Sequence, residues 1–128
     1  MKKEIIISKK VPVAIGPYSP ALKIGNLIFI SGQLPIDPVT GEIVKGEIEA
    51  QARRSLENLK AVLKSYLVGM ENVVKTIIFL KDMNNFSRIN KIYGEYFLGQ
   101  FPARSCVEVS RLPKDADIEI EAIAFHDK

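Results

Sequence analysis

Apolar residues recur along the chain with two periods, and the period changes from one segment to the next. In residues 47 to about 67 they return every three or four positions, which predicts an amphipathic helix. Residues 86 to about 99 have the same period and predict a second, shorter helix. Val73–Leu80 is rich in β-branched residues and Ile118–Phe125 alternates, so both segments are predicted strands.

Shorter apolar runs predict four more strands. Residues 5–7 form one run near the N-terminus, and residues 103–109 follow Pro102, which ends the preceding helix and favours an extended Ala103. Residues 21–24 and 27–31 flank Gly25-Asn26, a pair that favours a hairpin turn. Prolines in residues 11–20 and 34–46 predict loops there.

The element order is therefore β, β, β, α, β, α, β, β. This order predicts an α+β fold, with a single mixed six-stranded β-sheet and two helices on one face. A chain of 128 residues is the size of one domain, so residues 1–128 are predicted to form a single unit.

Composition excludes several classes of protein. The chain has one cysteine and one histidine, His126, too few for a zinc site of the usual Cys/His type or for an internal disulfide. Its net charge of +3 is too small to indicate nucleic acid as a partner. No apolar run reaches the ~18 residues of a membrane span, and no signal-peptide pattern is present, so a cytoplasmic protein is expected.

The strand at residues 103–109 has an unusual polar side. Alternation places Arg104, Cys106 and Glu108 on one face. The residues between them are of the kind that a helix-covered face requires, and we expect them to lie under the helices: Ser105, Val107 and Val109.

The other sheet face is not predicted to be exposed to solvent. Residues 27–30 and 77–80 are apolar on both sides, yet the chain has no third helix to cover a second face. A second copy of the chain is the economical cover. On this interpretation Arg104 and Glu119 lie on or beside a subunit interface, where they need a ligand or each other. A purely structural ion pair stays open as the alternative.

The chemistry of these residues narrows the possible ligands. Arg104 carries a planar, charged guanidinium that can bind a carboxylate or a phosphate through two N–H groups. A carboxylate is the better candidate, because no glycine-rich phosphate loop accompanies Arg104. If the last strand returns alongside, Glu119 or Glu121 lies near Arg104 and could act as a general acid/base on a water molecule. Cys106 is a candidate nucleophile, but without an oriented histidine a small packing residue is favoured.

Two further places in the chain hold candidate pocket residues. Tyr18 lies in a proline-rich loop, and Ser31 and Gln33 end a strand at Gly32, where main chain can approach a ligand closely. The alternatives are a loop aromatic packed on the sheet and an ordinary turn.

Six motifs in order resemble the RidA (YjgF) family and span nearly the whole chain. They are Ile15-Gly16-Pro17-Tyr18-Ser19, Ser31-Gly32-Gln33, Gln51-Ala52-Arg53, Asn72-Val73-Val74-Lys75-Thr76, Phe101-Pro102-Ala103-Arg104-Ser105 and Ile118-Glu119-Ile120-Glu121-Ala122. The run from Pro102 to Val109 resembles the imine deaminase subgroup.

The resemblance implies a chorismate-mutase-like fold and a homotrimer with sites between subunits. It also implies hydrolysis of small 2-imino acids, 2-iminobutanoate and 2-iminopropanoate, to 2-oxo acids and ammonia, with no cofactor and no metal. By motif, Arg104 would bind the substrate carboxylate and Glu119 would position or activate water. The pocket would be lined by Tyr18, Ser31, Gly32, Asn90 and Cys106.

Another class of function stays open. Some relatives are described as ribonucleases or translation inhibitors, and a small-carboxylate-binding regulatory module is also compatible with Arg104. The sequence pI near 9.0 keeps an RNA-related role in view, but no aromatic-plus-basic platform for single strands is evident.

Overall fold

The computed structural model describes residues 1–5 and 8–127. It contains six strands, two α-helices and three single-turn 3-10 helices. The strands are β1 (Lys3–Glu4), β2 (Ala21–Ile24), β3 (Leu27–Gln33), β4 (Val73–Leu80), β5 (Ala103–Glu108) and β6 (Ile118–Phe125); the helices are α1 (Ile48–Ser65) and α2 (Phe86–Gly94). The 3-10 turns are Met70–Asn72, Met83–Asn85 and Pro113–Asp115.

The strands form one mixed sheet in the order β1-β2-β3-β6-β4-β5. Only β4 and β5 pair in parallel; all the other pairs are antiparallel. The predicted six-stranded α+β fold with two helices is confirmed. The prediction that β6 returns beside β5 is wrong, because β6 is inserted between β3 and β4.

One sheet face is covered by α1 and α2. Fully buried residues from β3, β4 and β6, such as Ile28, Ile78 and Ile120, pack with the apolar stripe of α1, which includes Leu56 and Leu59, in a single core. Buried residues alternate along the strands and recur every three or four positions along α1, as the sequence predicts, and the two sets meet in this core.

The opposite sheet face is apolar and open in the single chain. Its large side chains are 40–44% exposed, which is high for residues on paired strands; they are Leu27, Phe29, Val74, Val107 and Phe125. The predicted second apolar face is thus confirmed, and nothing within the described part of the chain covers it. Exposed apolar area of this kind is typical of a surface that binds another protein.

Two boundaries differ from the predictions. The first strand is Lys3–Glu4, and Ile5 is an exposed residue outside it; Ile6 and Ile7 of the predicted strand lie outside the described residues. The second helix ends at Gly94 rather than near Gly99. Its apolar period continues because Phe97, beyond the helix, still packs on Tyr93 with ring centroids 4.7 Å apart.

In the described residues, no helix combines the length and the apolar character needed to cross a membrane.

Candidate active site

Arg104 lies on β5 beneath α2, and its guanidinium is held by three side chains of that helix. Its Nη1 donates a 2.8 Å hydrogen bond to Oδ1 of Asn90. The guanidinium carbon lies 5.4 Å from the ring centroid of Phe86 and 4.9 Å from that of Tyr93. Aromatic faces attract cations at such distances, so α2 fixes the charged group without neutralising it.

The fixation of Arg104 extends into the core. The hydroxyl of Tyr93 shares a 2.7 Å hydrogen bond with Oγ1 of Thr76, which is fully buried on β4. Thr76 is the register partner of Arg104 across the β4–β5 ladder. Burial raises the pKa of Tyr93, because it disfavours the phenolate. The tyrosine is therefore a neutral support for the cation.

Arg104 opens into a cavity of about 290 Å³ at the edge of the sheet. Its walls come from α2 and from Phe101-Pro102 at the start of β5. No carboxylate in residues 1–5 or 8–127 forms an ion pair with Arg104. A partly buried guanidinium with free N–H groups in a cavity can bind a carboxylate from solution.

Cys106 follows Arg104 on the same face and is partly buried against the main core. Burial raises the pKa of its thiol, and the nearby Arg104 charge only partly opposes that effect. A protonated thiol is a poor nucleophile, so the geometry favours a wall residue. We call Asn90, Arg104 and Cys106 the arginine half-site.

Glu108, the third residue on this face, has a structural partner. Its Oε1 accepts a 2.8 Å hydrogen bond from the backbone N–H of Met83, in the turn that leads into α2. The end of β5 is therefore tied to the element that carries Asn90.

A second group of candidate residues surrounds the end of β3. The register of β3 against β6 shifts between Ile30 and Gln33. This irregularity places Ser31 and Gly32 outside regular pairing, as in a β-bulge. The Ser31 hydroxyl donates a 2.6 Å hydrogen bond to the carbonyl of Ser19, which ties the proline-rich loop to the strand.

Glu119 lies directly over Gly32. A Cβ added at position 32 would overlap the Glu119 carboxylate, so this approach requires glycine. Burial raises the pKa of Glu119, and repulsion from Glu121 raises it further. The carboxyl group is thus suited to proton transfer nearer neutral pH than an ordinary glutamate.

Tyr18 completes this group from the loop before β2. Its side chain is 47% exposed and its hydroxyl accepts a 3.4 Å hydrogen bond from the Ile15 N–H. Tyr18, Ser31 and Glu121 line one cavity of about 340 Å³. We call Tyr18, Ser31, Gly32 and Glu119 the glutamate half-site.

The two half-sites lie on opposite faces of the sheet. Arg104 and Cys106 are register partners of Thr76 and Ile78, both fully buried under the helices. Glu119 pairs with Phe79, between Ile118 and Ile120, which are fully buried on the other side. A single chain therefore does not bring Arg104 and Glu119 together.

The predicted orientation of β5 is wrong. Arg104 and Cys106 face the helices, whereas Ser105 and Val107 are exposed on the open face. Alternation determines which residues share a face but not which face the helices cover. At the sheet edge, two aromatic rings and Asn90 make the helix side suitable for a cation.

Phe86, Tyr93 and Thr76 were not predicted to be site residues. A signal was available, because Phe86, Asn90 and Tyr93 are spaced by four and three residues and so share one face of α2. Pairing that face with Arg104 required the parallel register of β4 and β5, which the sequence does not reveal.

Comparison with known proteins identifies the chain's relatives. The family model described as Endoribonuclease L-PSP matches residues 8–126. The chain belongs to this family. A RutC family protein from Pyrococcus abyssi is 55% identical over 125 residues, which are 98% of this chain and 98% of that protein. The 2-iminobutanoate/2-iminopropanoate deaminase of Escherichia coli is 49% identical over 122 residues, 93% and 94% of the two chains.

Solved structures of the family confirm the fold and the RidA (YjgF) resemblance. The YjgF gene product of E. coli superposes with a TM-score of 0.91 at 47% identity, over 96% of this chain and 98% of that one. E. coli TdcF with bound serine gives a TM-score of 0.93 at 42% identity, over 97% and 99%.

Proposed function

We propose that this chain hydrolyses small 2-imino acids, such as 2-iminobutanoate and 2-iminopropanoate, to 2-oxo acids and ammonia, in a homotrimer whose sites lie between subunits. The observation that carries the proposal is Arg104, a guanidinium fixed by Asn90 and two aromatic rings and open to a cavity. Its natural ligand is the carboxylate that every 2-imino acid bears.

Glu119 supplies the second requirement, a group that can exchange a proton near neutral pH. Its raised pKa follows from burial and from Glu121. Water adds to C2 of the protonated imine and gives a proton to the Glu119 carboxylate. That proton then passes to the amino group of the tetrahedral intermediate. The C2–N bond breaks with its electron pair going to nitrogen, while the C2 hydroxyl gives its proton to the Glu119 carboxylate and becomes the carbonyl oxygen. The released ammonia takes up that proton as ammonium, which leaves Glu119 ionised again.

A second copy of the chain supplies the missing juxtaposition. Because Arg104 and Glu119 occupy opposite faces, a substrate that contacts both needs two chains. The open apolar face, which carries the glutamate half-site, is the surface on which another copy would pack. The arginine half-site of one chain would then face the glutamate half-site of its neighbour.

The relatives support the substrate class. The E. coli relative is named as a deaminase of these two imino acids. The TdcF structure contains serine, an α-amino acid whose carboxylate is attached to C2 as in a 2-imino acid.

The test is hydrolysis of 2-iminobutanoate generated by a threonine dehydratase. Arg104→Ala should lower kcat/KM by at least about 100-fold, since loss of orientation alone has effects of that size. Arg104→Lys should be intermediate, because lysine keeps the charge but not the planar fork. Arg111→Ala is the matched control: Arg111 is exposed and, among the described residues, forms an ion pair only with Asp115, four residues away.

Circular dichroism and sedimentation establish that each variant is folded and assembled. Wild-type activity in a folded Arg104→Ala protein would contradict the assignment. Binding of 2-oxobutanoate by the wild type without any imine turnover would instead support a small-carboxylate-binding module.

A further inference from the structure

A basic groove lies on the outer side of α1, with its own lining residues separate from both half-sites. It has a volume of about 610 Å³. Five cationic side chains and one carboxylate line it, an excess of four positive charges that is larger than the net charge of the whole chain, +3. The cations are Lys9, Lys10, Arg54, Lys60 and Lys64.

These cations have no acidic partner in the described part of the chain. None of the five takes part in an ion pair, although other exposed arginines do. The lining carboxylate, Glu57, accepts a 2.7 Å hydrogen bond from the Tyr96 hydroxyl. Positive charge is thus concentrated in a concave surface, where it attracts anions more strongly than on a convex one.

Arg54 is held in place by a buried residue. Asn58 is fully buried, and its Nδ2 donates to the carbonyls of Leu34 and Ile36 at 3.0 and 2.9 Å. Its Oδ1 accepts from Nε and Nη2 of Arg54 at 3.2 and 3.0 Å. The guanidinium is therefore oriented in advance, with its remaining N–H groups free for a ligand.

The other two walls of the groove are ordered turns. Lys9 and Lys10 lie in a turn closed by the Val11 N–H and the Ser8 carbonyl, and Val11 is buried in the core. In the second turn, Asp37 Oδ1 accepts a hydrogen bond from the Val39 N–H at 2.8 Å. This turn presents the apolar surface of Pro38 and Val39 beside the cations.

From this arrangement we propose that the groove binds a small organic anion carrying two or more phosphate groups, such as a nucleoside di- or triphosphate. Several cations around the groove match several phosphates, and a pre-oriented guanidinium binds one of them bidentately. The apolar wall accommodates the rest of the molecule. RNA is less well matched, because no aromatic ring lines the groove to stack on bases.

The experiment is a titration of the full-length protein, followed by nuclear magnetic resonance, with ATP, inorganic pyrophosphate, AMP and a uridine oligonucleotide as separate probes. ATP should give saturable shifts at the groove residues and should bind more tightly than AMP. Pyrophosphate measures how much of the affinity comes from the phosphates alone.

Two variants and one control decide the site. Arg54→Gln and the double change Lys60→Gln with Lys64→Gln should each weaken ATP binding by about tenfold or more, because charge-assisted hydrogen bonds are lost. The double change Lys45→Gln with Lys81→Gln removes two exposed lysines that do not line the groove, and should alter affinity by less than about twofold.

Three results would overturn the proposal. One is the absence of saturable shifts with ATP and pyrophosphate at millimolar concentration. Another is equal weakening in the control, which would indicate general charge attraction. The third is tighter binding of the oligonucleotide than of ATP, lost in the same variants, which would assign the groove to RNA.

Discussion

Arg104 and Glu119 lie on opposite faces of one sheet, two strands apart and separated by β4. The candidate carboxylate-binding residue and the candidate acid/base residue therefore cannot contact the same small molecule within one subunit. This relationship gives the proposed trimeric site a direct test.

Two inactive variants should restore activity when they are mixed. Arg104→Ala lacks the arginine half-site and Glu119→Gln lacks the glutamate half-site. If each site takes one half from each of two neighbouring chains, random reassembly at equal concentrations leaves about one quarter of the sites intact. The measurement is imine hydrolysis after the variants are unfolded and refolded together, with separately refolded variants as the control. Complete inactivity of verified mixed assemblies would place both residues in one subunit's site.

The raised pKa of Glu119 predicts the pH dependence of catalysis. As a general base Glu119 must be ionised, so kcat/KM should fall as pH drops through its pKa, above the ordinary value of 4.5. Glu119→Gln should lose activity and also lose this acidic limb. If the residual activity of the variant still falls at acidic pH as the wild-type activity does, the titrating group is not Glu119.

The same pKa predicts an effect on stability. A carboxyl group whose pKa is raised on folding ionises more easily in the unfolded chain, so its ionisation favours unfolding as pH rises. Glu119→Gln should therefore increase the free energy of unfolding at pH 7, and the difference should shrink as pH falls through the raised folded-state pKa and vanish below the unfolded pKa. Urea unfolding of both proteins at pH 7 and at acidic pH checks the sign. Glu42→Gln, at an exposed loop position, is the control.

Gly32 is predicted to be intolerant of even one methyl group. Gly32→Ala would overlap Glu119 and displace its carboxylate, so kcat should fall by about 100-fold while the fold is retained. Gly41→Ala is a useful contrast, because Gly41 has a φ of +75° but open space around it. That variant should lose stability through backbone strain and keep its activity. Wild-type kcat in Gly32→Ala would show that the Glu119 position is not critical.

The buried pair of Thr76 and Tyr93 gives a thermodynamic cycle. Thr76→Val leaves the Tyr93 hydroxyl without a partner and should cost about 1–3 kcal/mol in the free energy of unfolding. Adding Tyr93→Phe removes the orphaned hydroxyl and should recover part of that loss, while the ring beneath Arg104 remains. Strictly additive effects in urea unfolding would mean that the hydrogen bond contributes no coupling.

Much of the fold could be predicted because its signals are local. The bounds of β4 and β6 follow from composition and alternation and agree with the structure residue for residue. The site was harder for two physical reasons. Helix coverage at the edge strand depends on the tertiary pairing of α2 with Arg104, and the contact of Gly32 with Glu119 depends on a register shift. Neither contact can be predicted from the hydrophobic periodicity of a single segment.

The position of β5 at the end of the sheet has a consequence for solubility. A terminal strand presents unpaired main-chain groups that invite another strand to add, and proteins limit this with charges and proline. Here Pro102 precedes the strand, and Arg104 and Glu108 place charges of opposite sign along it. Arg104, the residue assigned to recognition of a carboxylate, therefore also helps Pro102 and Glu108 to discourage edge-to-edge aggregation.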